Sequence, residues 1–221
     1  MFKKLLSYLI PITIFKQSSN LSKSIEVTWN NGEMVLDSEN TNYSYGSLQR
    51  ILRKGLKHIG FKTIKSMQHI LVLGVAGGSV IKTLIDEIDY SGQITGVEID
   101  AAIIAIANEY FGLDKIKNVE IVIDDAFEFV LKTKEKYDLI IIDIFQDTTM
   151  PNFLFEHFFT DRLDFLLNSK GFVLFNTMIL TTESYKRNEN FKVAIDKNKF
   201  NLICIEKVED HNELIILKKI D

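Results

Sequence analysis

The chain is poor in cysteine, proline and tryptophan, and it has no excess of basic charge. It holds one cysteine, Cys204, and one tryptophan among 221 residues. A lone cysteine excludes a disulfide framework and a cysteine-based metal cage, and it fits a reducing compartment such as the cytoplasm. Only two prolines, Pro11 and Pro151, interrupt the capacity for regular structure. Lys and Arg number 26 against 30 Asp and Glu, a formal net charge of −4, so no broad nucleic-acid surface is expected. His58, His69, His157 and His211 lie without ligand spacing, and no metal is assigned. Long apolar runs are absent as well. Residues 5–15 follow Lys3 and Lys4 in imitation of a signal peptide, but Pro11 interrupts them and no small-residue cleavage site follows. The run is also shorter than the ~20 residues of a membrane span, so a strand or short helix without stable membrane insertion is expected there.

What is present is a 46% hydrophobic content, enough to bury one good core. Residues 1–45 read as a β-rich arm. Ile25-Glu26-Val27-Thr28-Trp29 alternates in polarity, Asn30-Asn31-Gly32 tolerates positive φ, and Met34-Val35-Leu36 returns, which is a hairpin signal. Residues 46–221 read as one catalytic-type domain, opened by a helix over 47–60 with Leu48, Ile51, Leu52, Leu56 and Ile59 on one face. Strands are then expected at 70–73, 94–97, 119–123, 137–142 and 172–176. Helices are expected at 79–88, 100–112, 126–133, 152–167 and 183–195. Such alternation makes a parallel sheet covered on both faces. The last two strands, 201–207 and 213–218, are separated by a turn too short for a parallel crossover and must form an antiparallel hairpin. An α/β fold, mostly parallel but finished by such a hairpin, is the class I methyltransferase-like, Rossmann-like arrangement rather than that of dehydrogenases.

In open α/β sheets ligands bind beyond the carboxyl ends of the strands, near the reversal of strand order. The first strand ends in Gly74-Val75-Ala76-Gly77-Gly78-Ser79, a loop without bulky side chains that opens a helix. It lacks the Gly-Lys-Ser/Thr ending of a phosphate-gripping loop, which argues against triphosphate hydrolysis. The second strand ends in Glu98, the third in Asp124-Asp125-Ala126 and the fourth in Asp143. A glycine-rich turn also serves simple helix–sheet packing, and an aspartate after a strand is also a common helix cap. Together, however, they suggest an adenosine-containing cofactor. Glu98 can accept hydrogen bonds from ribose hydroxyls and Asp125, beside Ala126, from the adenine amino group. The backbone of Gly74, Ala76, Gly77 and Gly78 can approach an amino-acid portion, and Asp143 would stand nearest a sulfonium or an incoming nucleophile.

The hairpin arm, Tyr43-Ser44-Tyr45-Gly46-Ser47-Leu48-Gln49, the loop 73–79, Gly96-Val97-Glu98-Ile99-Asp100, Asp124-Asp125-Ala126-Phe127-Glu128-Phe129 and Tyr137-Asp138-Leu139-Ile140-Ile141-Ile142-Asp143 together resemble the spermidine/spermine synthase family. The resemblance spans roughly residues 20–180. It implies that Glu98 and Asp125 hold ribose and adenine. It also implies that Asp143 is the carboxylate preparing a diamine for attack on decarboxylated S-adenosylmethionine.

Three departures accompany it. Gly77 stands where the family has an aspartate beside the aminopropyl chain. Thr41-Asn42 and Gly46-Ser47 replace acidic and His-Glu pairs around the equivalent of Tyr45. Asp143-Ile144-Phe145-Gln146-Asp147 replaces Asp-x-x-Asp-Pro. A diamine dication without paired carboxylates is held poorly. The expectation is therefore a transferase that binds S-adenosylmethionine or its decarboxylated form and transfers methyl to a small-molecule acceptor. Asp143, with Asp147 or Tyr45, would face that acceptor. The alternatives are an aminopropyltransferase and a non-catalytic adenosine-binding module. The arm offers a surface for a homodimer.

Overall fold

The structure, a computed structural model, describes residues 2–38, 42–145 and 149–220. A short helix α1 (Phe2–Leu6) precedes four strands, β1 (Ile12–Gln17), β2 (Ile25–Asn30), β3 (Glu33–Ser38) and β4 (Asn42–Ser44). They pair in sequence order as one antiparallel sheet, in which the expected hairpin of β2 and β3 is flanked by β1 on one side and β4 on the other. Asn31 and Gly32 take the positive φ that the β2–β3 turn requires. The inward residues Ile25, Val27 and Leu36 are fully buried against Ile103, Ile106 and Phe111 of a later helix. This contact docks the arm onto the main domain.

That domain opens with α2 (Gly46–Ile59) and α3 (Phe61–Lys65), then β5 (His69–Leu73). Helix α4 (Ser79–Lys82) continues into a π-helical turn, Thr83–Glu87, rather than running straight to Ile88. The Thr83 hydroxyl donates to the Ser79 carbonyl and so competes with the regular helical ladder. Next come β6 (Gln93–Glu98), α5 (Ala101–Phe111), β7 (Val119–Ile123), α6 (Ala126–Lys132) and β8 (Tyr137–Ile142). The expected helix over 152–167 is broken into a 3₁₀ turn, Asn152–Phe155, and α7 (His157–Leu166), because Glu156 adopts extended φ and ψ. The chain ends with β9 (Leu167–Met178), α8 (Thr182–Ala194), β10 (Phe200–Val208) and β11 (Asn212–Lys219).

Seven strands form one sheet in the order β10-β11-β9-β8-β5-β6-β7. Strands β5 to β9 pair in parallel, and β11 slots antiparallel between β9 and β10. Alternating side chains on each strand feed two separate cores. Ile70, Val72, Leu139, Ile141 and Leu174 face α2 and α4, while Leu71, Leu73, Ile140, Ile142 and Phe175 face α6, α7 and α8. Both faces are covered, which is why these strands read as continuous apolar runs in the sequence.

Gly96 lies where β6 passes beneath the glycine loop. A Cβ there would lie 2.7 Å from Val75 Cγ2 and 2.9 Å from Ile121 Cδ1, on opposite sides. Gly96→Val is expected to lower unfolding free energy by about 1–3 kcal/mol through overpacking. Urea titration followed by circular dichroism measures this, and an unchanged midpoint would contradict it.

Candidate functional site

Strand order reverses between β5 and β8, whose neighbours progress in opposite directions, and a crevice opens at their carboxyl ends. Gly74 follows β5 and Asp143 follows β8. The Asp143 amide donates to the Leu73 carbonyl at 2.9 Å, and the Gly74 amide donates to the Val97 carbonyl at 3.0 Å. Gly74 takes φ +88°, and a Cβ on it would collide with the Asp143 carbonyl. Only glycine permits this approach.

A cavity of about 250 Å³ lies over the crevice. Of the residues singled out by the sequence, Gly74, Ala76, Glu98, Asp125, Ala126 and Asp143 line it. Asp100, Asp124, Tyr43 and Phe153 line it as well. Gly77, Gly78 and Tyr45 are not among the lining residues. Gly78, at φ +80°, is the N-cap of α4. The Tyr45 hydroxyl donates to the Gly77 carbonyl at 3.1 Å, and its ring stacks on Phe111 with centroids 4.5 Å apart. Its phenol is therefore half-buried and engaged as a brace for the loop, outside the set of residues that line the cavity. Burial raises its pKa. Thr41, Gln146 and Asp147, noted in the sequence, lie outside the described residues.

Glu98 is 8% exposed. Its Oε2 accepts from the amides of Val75 and Ala76 at 3.1 and 3.0 Å, and its Oε1 from the Asp100 amide at 3.1 Å. One carboxylate thereby ties the glycine loop to the end of β6. Burial raises its pKa, and the three backbone donors offset part of that rise. Asp100 caps α5 through the Ala102 amide, and its other oxygen accepts from the hydroxyl of Ser19 in the arm. Asp125 caps α6 by accepting from the Phe127 amide at 2.7 Å, yet still reaches the cavity. Capping and lining are compatible roles here, since each carboxylate oxygen has two acceptor directions.

Asp143 completes the set at the end of β8. Burial pushes its pKa up to about 7, with Glu98 adding to the rise and a hydrogen bond from Asn176 Nδ2 opposing it. That bond, 2.8 Å to Oδ1, comes from a residue not singled out in the sequence, and neither was Asn212, which lines the cavity. A polar Asn176 closing the apolar run 172–175 was the available signal for the first. Asn212 had none, because it reaches the crevice only through the pairing of β11 with β9. His157 stands on the surface, bonded to Asp161.

Away from the crevice, Cys204, Glu206 and Glu213 set ligand-type atoms within 4.8 Å of one another. The Lys192 ammonium already lies 3.0 Å from Glu213 and supplies the positive charge there. The Cys204 thiol is pushed up to about 12 by burial and by Glu213. No helix among the described residues is long and apolar enough to cross a membrane.

Several known proteins are similar to this chain. A polyamine aminopropyltransferase from Prochlorococcus marinus (strain AS9601) is 29% identical over 160 residues, covering 69% of this chain and 54% of that protein. An eEF1A lysine and N-terminal methyltransferase homolog from Drosophila pseudoobscura pseudoobscura is 27% identical over 156 residues, 66% of this chain and 22% of that protein. The chain thus spans about half of the first relative and about a fifth of the second. Among solved structures, spermidine synthase from Thermotoga maritima superposes with a TM-score of 0.71 at 18% identity, covering 95% of this chain and 74% of that one. Human methyltransferase-like protein 13 in complex with SAH superposes with a TM-score of 0.64 at 19% identity, covering 80% and 83%. These two share the α/β fold. The Spermine/spermidine synthase domain family matches residues 49–204, from α2 through the strand that carries Cys204, and the chain belongs to that family.

Proposed function

We propose that the protein is a transferase that binds S-adenosylmethionine in the crevice and passes its methyl group to a small acceptor. The observation that carries this reading is the gathering of Glu98, Asp125 and Asp143 from three successive strand ends around one cavity beneath Gly74 and Ala76. Glu98 Oε1 keeps an acceptor direction for a ribose hydroxyl, and Asp125 keeps one for the adenine amino group. Relatives with matched folds were solved with SAH, in human methyltransferase-like protein 13, and with the transition-state analogue AdoDATO, in spermidine synthase.

Chemistry then needs little from the protein. A sulfonium carries its own leaving group, a neutral thioether, so transfer requires alignment with the nucleophile and removal of the nucleophile's proton. Asp143, poised near neutrality, is the group assigned to take that proton. The acceptor's lone pair forms the new bond to the methyl carbon, the carbon–sulfur bond breaks, and S-adenosylhomocysteine leaves.

Preference for methyl over aminopropyl rests on Gly77. A Cβ there would lie 2.9 Å from Ser44 Cβ and 3.2 Å from Tyr45 Cε2, so the aspartate implied by the family resemblance has no room. Without that negative charge the loop tolerates the carboxylate of intact S-adenosylmethionine. The second reading, aminopropyl transfer, is favoured by the aminopropyltransferase relative.

Calorimetry should show S-adenosylmethionine binding to the wild-type protein and at least tenfold weaker binding to Glu98→Ala. No heat with this ligand, its decarboxylated form or methylthioadenosine would leave a non-catalytic module. Incubation with putrescine and decarboxylated cofactor should yield no spermidine, and its formation would install the second reading. Because Asp143 acts as a base when ionised, methyl transfer should rise as pH passes through about 7 and level off above it. Asp143→Asn should lose about 100-fold or more in kcat, given the usual size of general-base catalysis. A flat pH profile or an active Asp143→Asn variant would remove Asp143 from the mechanism.

A further inference from the structure

Asn176 lies on β9 with 0% of its surface exposed, at the end of an otherwise apolar run. An amide buried there is costly unless both its ends are bonded. Both are. Its Nδ2 donates to Asp143 Oδ1 at 2.8 Å, and its Oδ1 accepts from Asn212 Nδ2 at 3.0 Å. Asn212, the first residue of β11, is itself 8% exposed and lines the cavity. The orientation of the chain is fixed from one end: an ionised carboxylate only accepts, so Asn176 must turn its NH₂ to Asp143, and its oxygen then requires the NH₂ of Asn212.

Resting on the reading of Asp143 as the proton acceptor, we propose that Asn176 and Asn212 are positioning residues for it. They form a two-amide relay that clamps one oxygen of the carboxylate and sets its proton affinity. Oδ1 is held by Asn176, and among the described residues nothing bonds Oδ2, which remains for the nucleophile's proton. The surroundings make this donor decisive. Glu98 at the end of β6 repels the Asp143 charge, and Asp100, Asp124 and Asp125 line the same cavity. The loop after β5 contributes Gly74, α2 contributes Ser47, Leu48 and Ile51, and β9 contributes Met178, all uncharged. No cation lines the cavity among the described residues. The Asn176 N–H is thus the one identified contact that favours the ionised form, and Asn212 keeps that N–H aimed.

The relay gives the antiparallel hairpin a task. Strand β11 pairs Asn212 with Met178 and Leu214 with Asn176, so insertion of β11 beside β9 is what brings the second amide within reach. A change at the start of β11 is therefore felt at the end of β8, two strands away.

The test follows the carboxyl carbon of Asp143 by NMR on protein labelled with carboxyl-¹³C aspartate, the resonance being assigned by its loss in Asp143→Asn. Asn176→Leu removes the donor and should raise the Asp143 midpoint by about one pH unit, the usual size of a hydrogen bond to a charged form. Asn212, which makes no hydrogen bond to Asp143, should on change to Leu still raise the midpoint, by about 0.1–0.3 pH unit, whereas Asn212→Ser, which keeps a donor, should restore the wild-type value. If Asn176→Leu does not fold, the Asn212 pair decides alone. A midpoint unmoved in folded Asn212→Leu, or moved equally in Asn212→Ser, overturns the relay. The titration needs no cofactor, so a protein that ignores S-adenosylmethionine in calorimetry would sink the proposed function while the relay stands or falls on the NMR result.

Discussion

The close approach of Gly74 to the Asp143 carbonyl is the constraint on which the site depends. Two parallel strands, β5 and β8, lie side by side at the point where the sheet's order reverses, and the chain leaving each must turn away without obstructing the other. A glycine at positive φ makes this turn with no side chain in the gap. The Asp143 amide bonded to Leu73 then fixes where the Asp143 side chain begins. From that junction the loop runs out over the crevice, held by Glu98 below and by Ser44 and Tyr45 beside it. The arm is thus part of the site's architecture: Ser44 accepts from the Ser79 amide at the start of α4, and Ser19 reaches Asp100.

Electrostatically the crevice is one-sided. Glu98, Asp100, Asp124, Asp125 and Asp143 all reach the cavity, and several are relieved by backbone amides at helix starts or in the glycine loop. Backbone donors stabilise a buried carboxylate without neutralising it. Such a cavity suits a ligand that brings hydroxyls, an amino group and a positive centre, which is the inventory of an adenosyl sulfonium. Burial, with the Glu98 charge adding to it, lifts the proton affinity of Asp143 to the neutral range.

Elsewhere the molecule handles charge differently. Glu213 is 1% exposed and is met by Lys192 at 3.0 Å and by Asn188 at 3.0 Å. This is a paired, hydrogen-bonded ion beneath the terminal hairpin, and pairing is what makes its burial tolerable. Contrast with the crevice separates a buried acid that tethers structure from one left open to a ligand.

The amino-acid sequence by itself determined the alternation of strands and helices, the glycine loop, and the acids at the strand ends, because each is a local signal. Apolar runs such as 139–142 mark buried strands, and Glu98, the pair Asp124-Asp125 and Asp143 stand at the ends of strand-like runs. The terminal hairpin was legible for the same reason, since a turn of a few residues admits only antiparallel return. Tertiary structure decided the rest. The stacking of Tyr45 on Phe111 and its bond to Gly77 arise only when the arm docks on α5. The arm's four-stranded extent needed Asn42–Ser44 to find β3. Asn176 and Asn212 are 36 residues apart, and although a polar residue closing the run 172–175 stands out, nothing local ties either one to Asp143. Pairing of β9 with both β8 and β11 puts the three side chains together, and hydrogen bonds between distant strands leave no pattern along the chain that forms them.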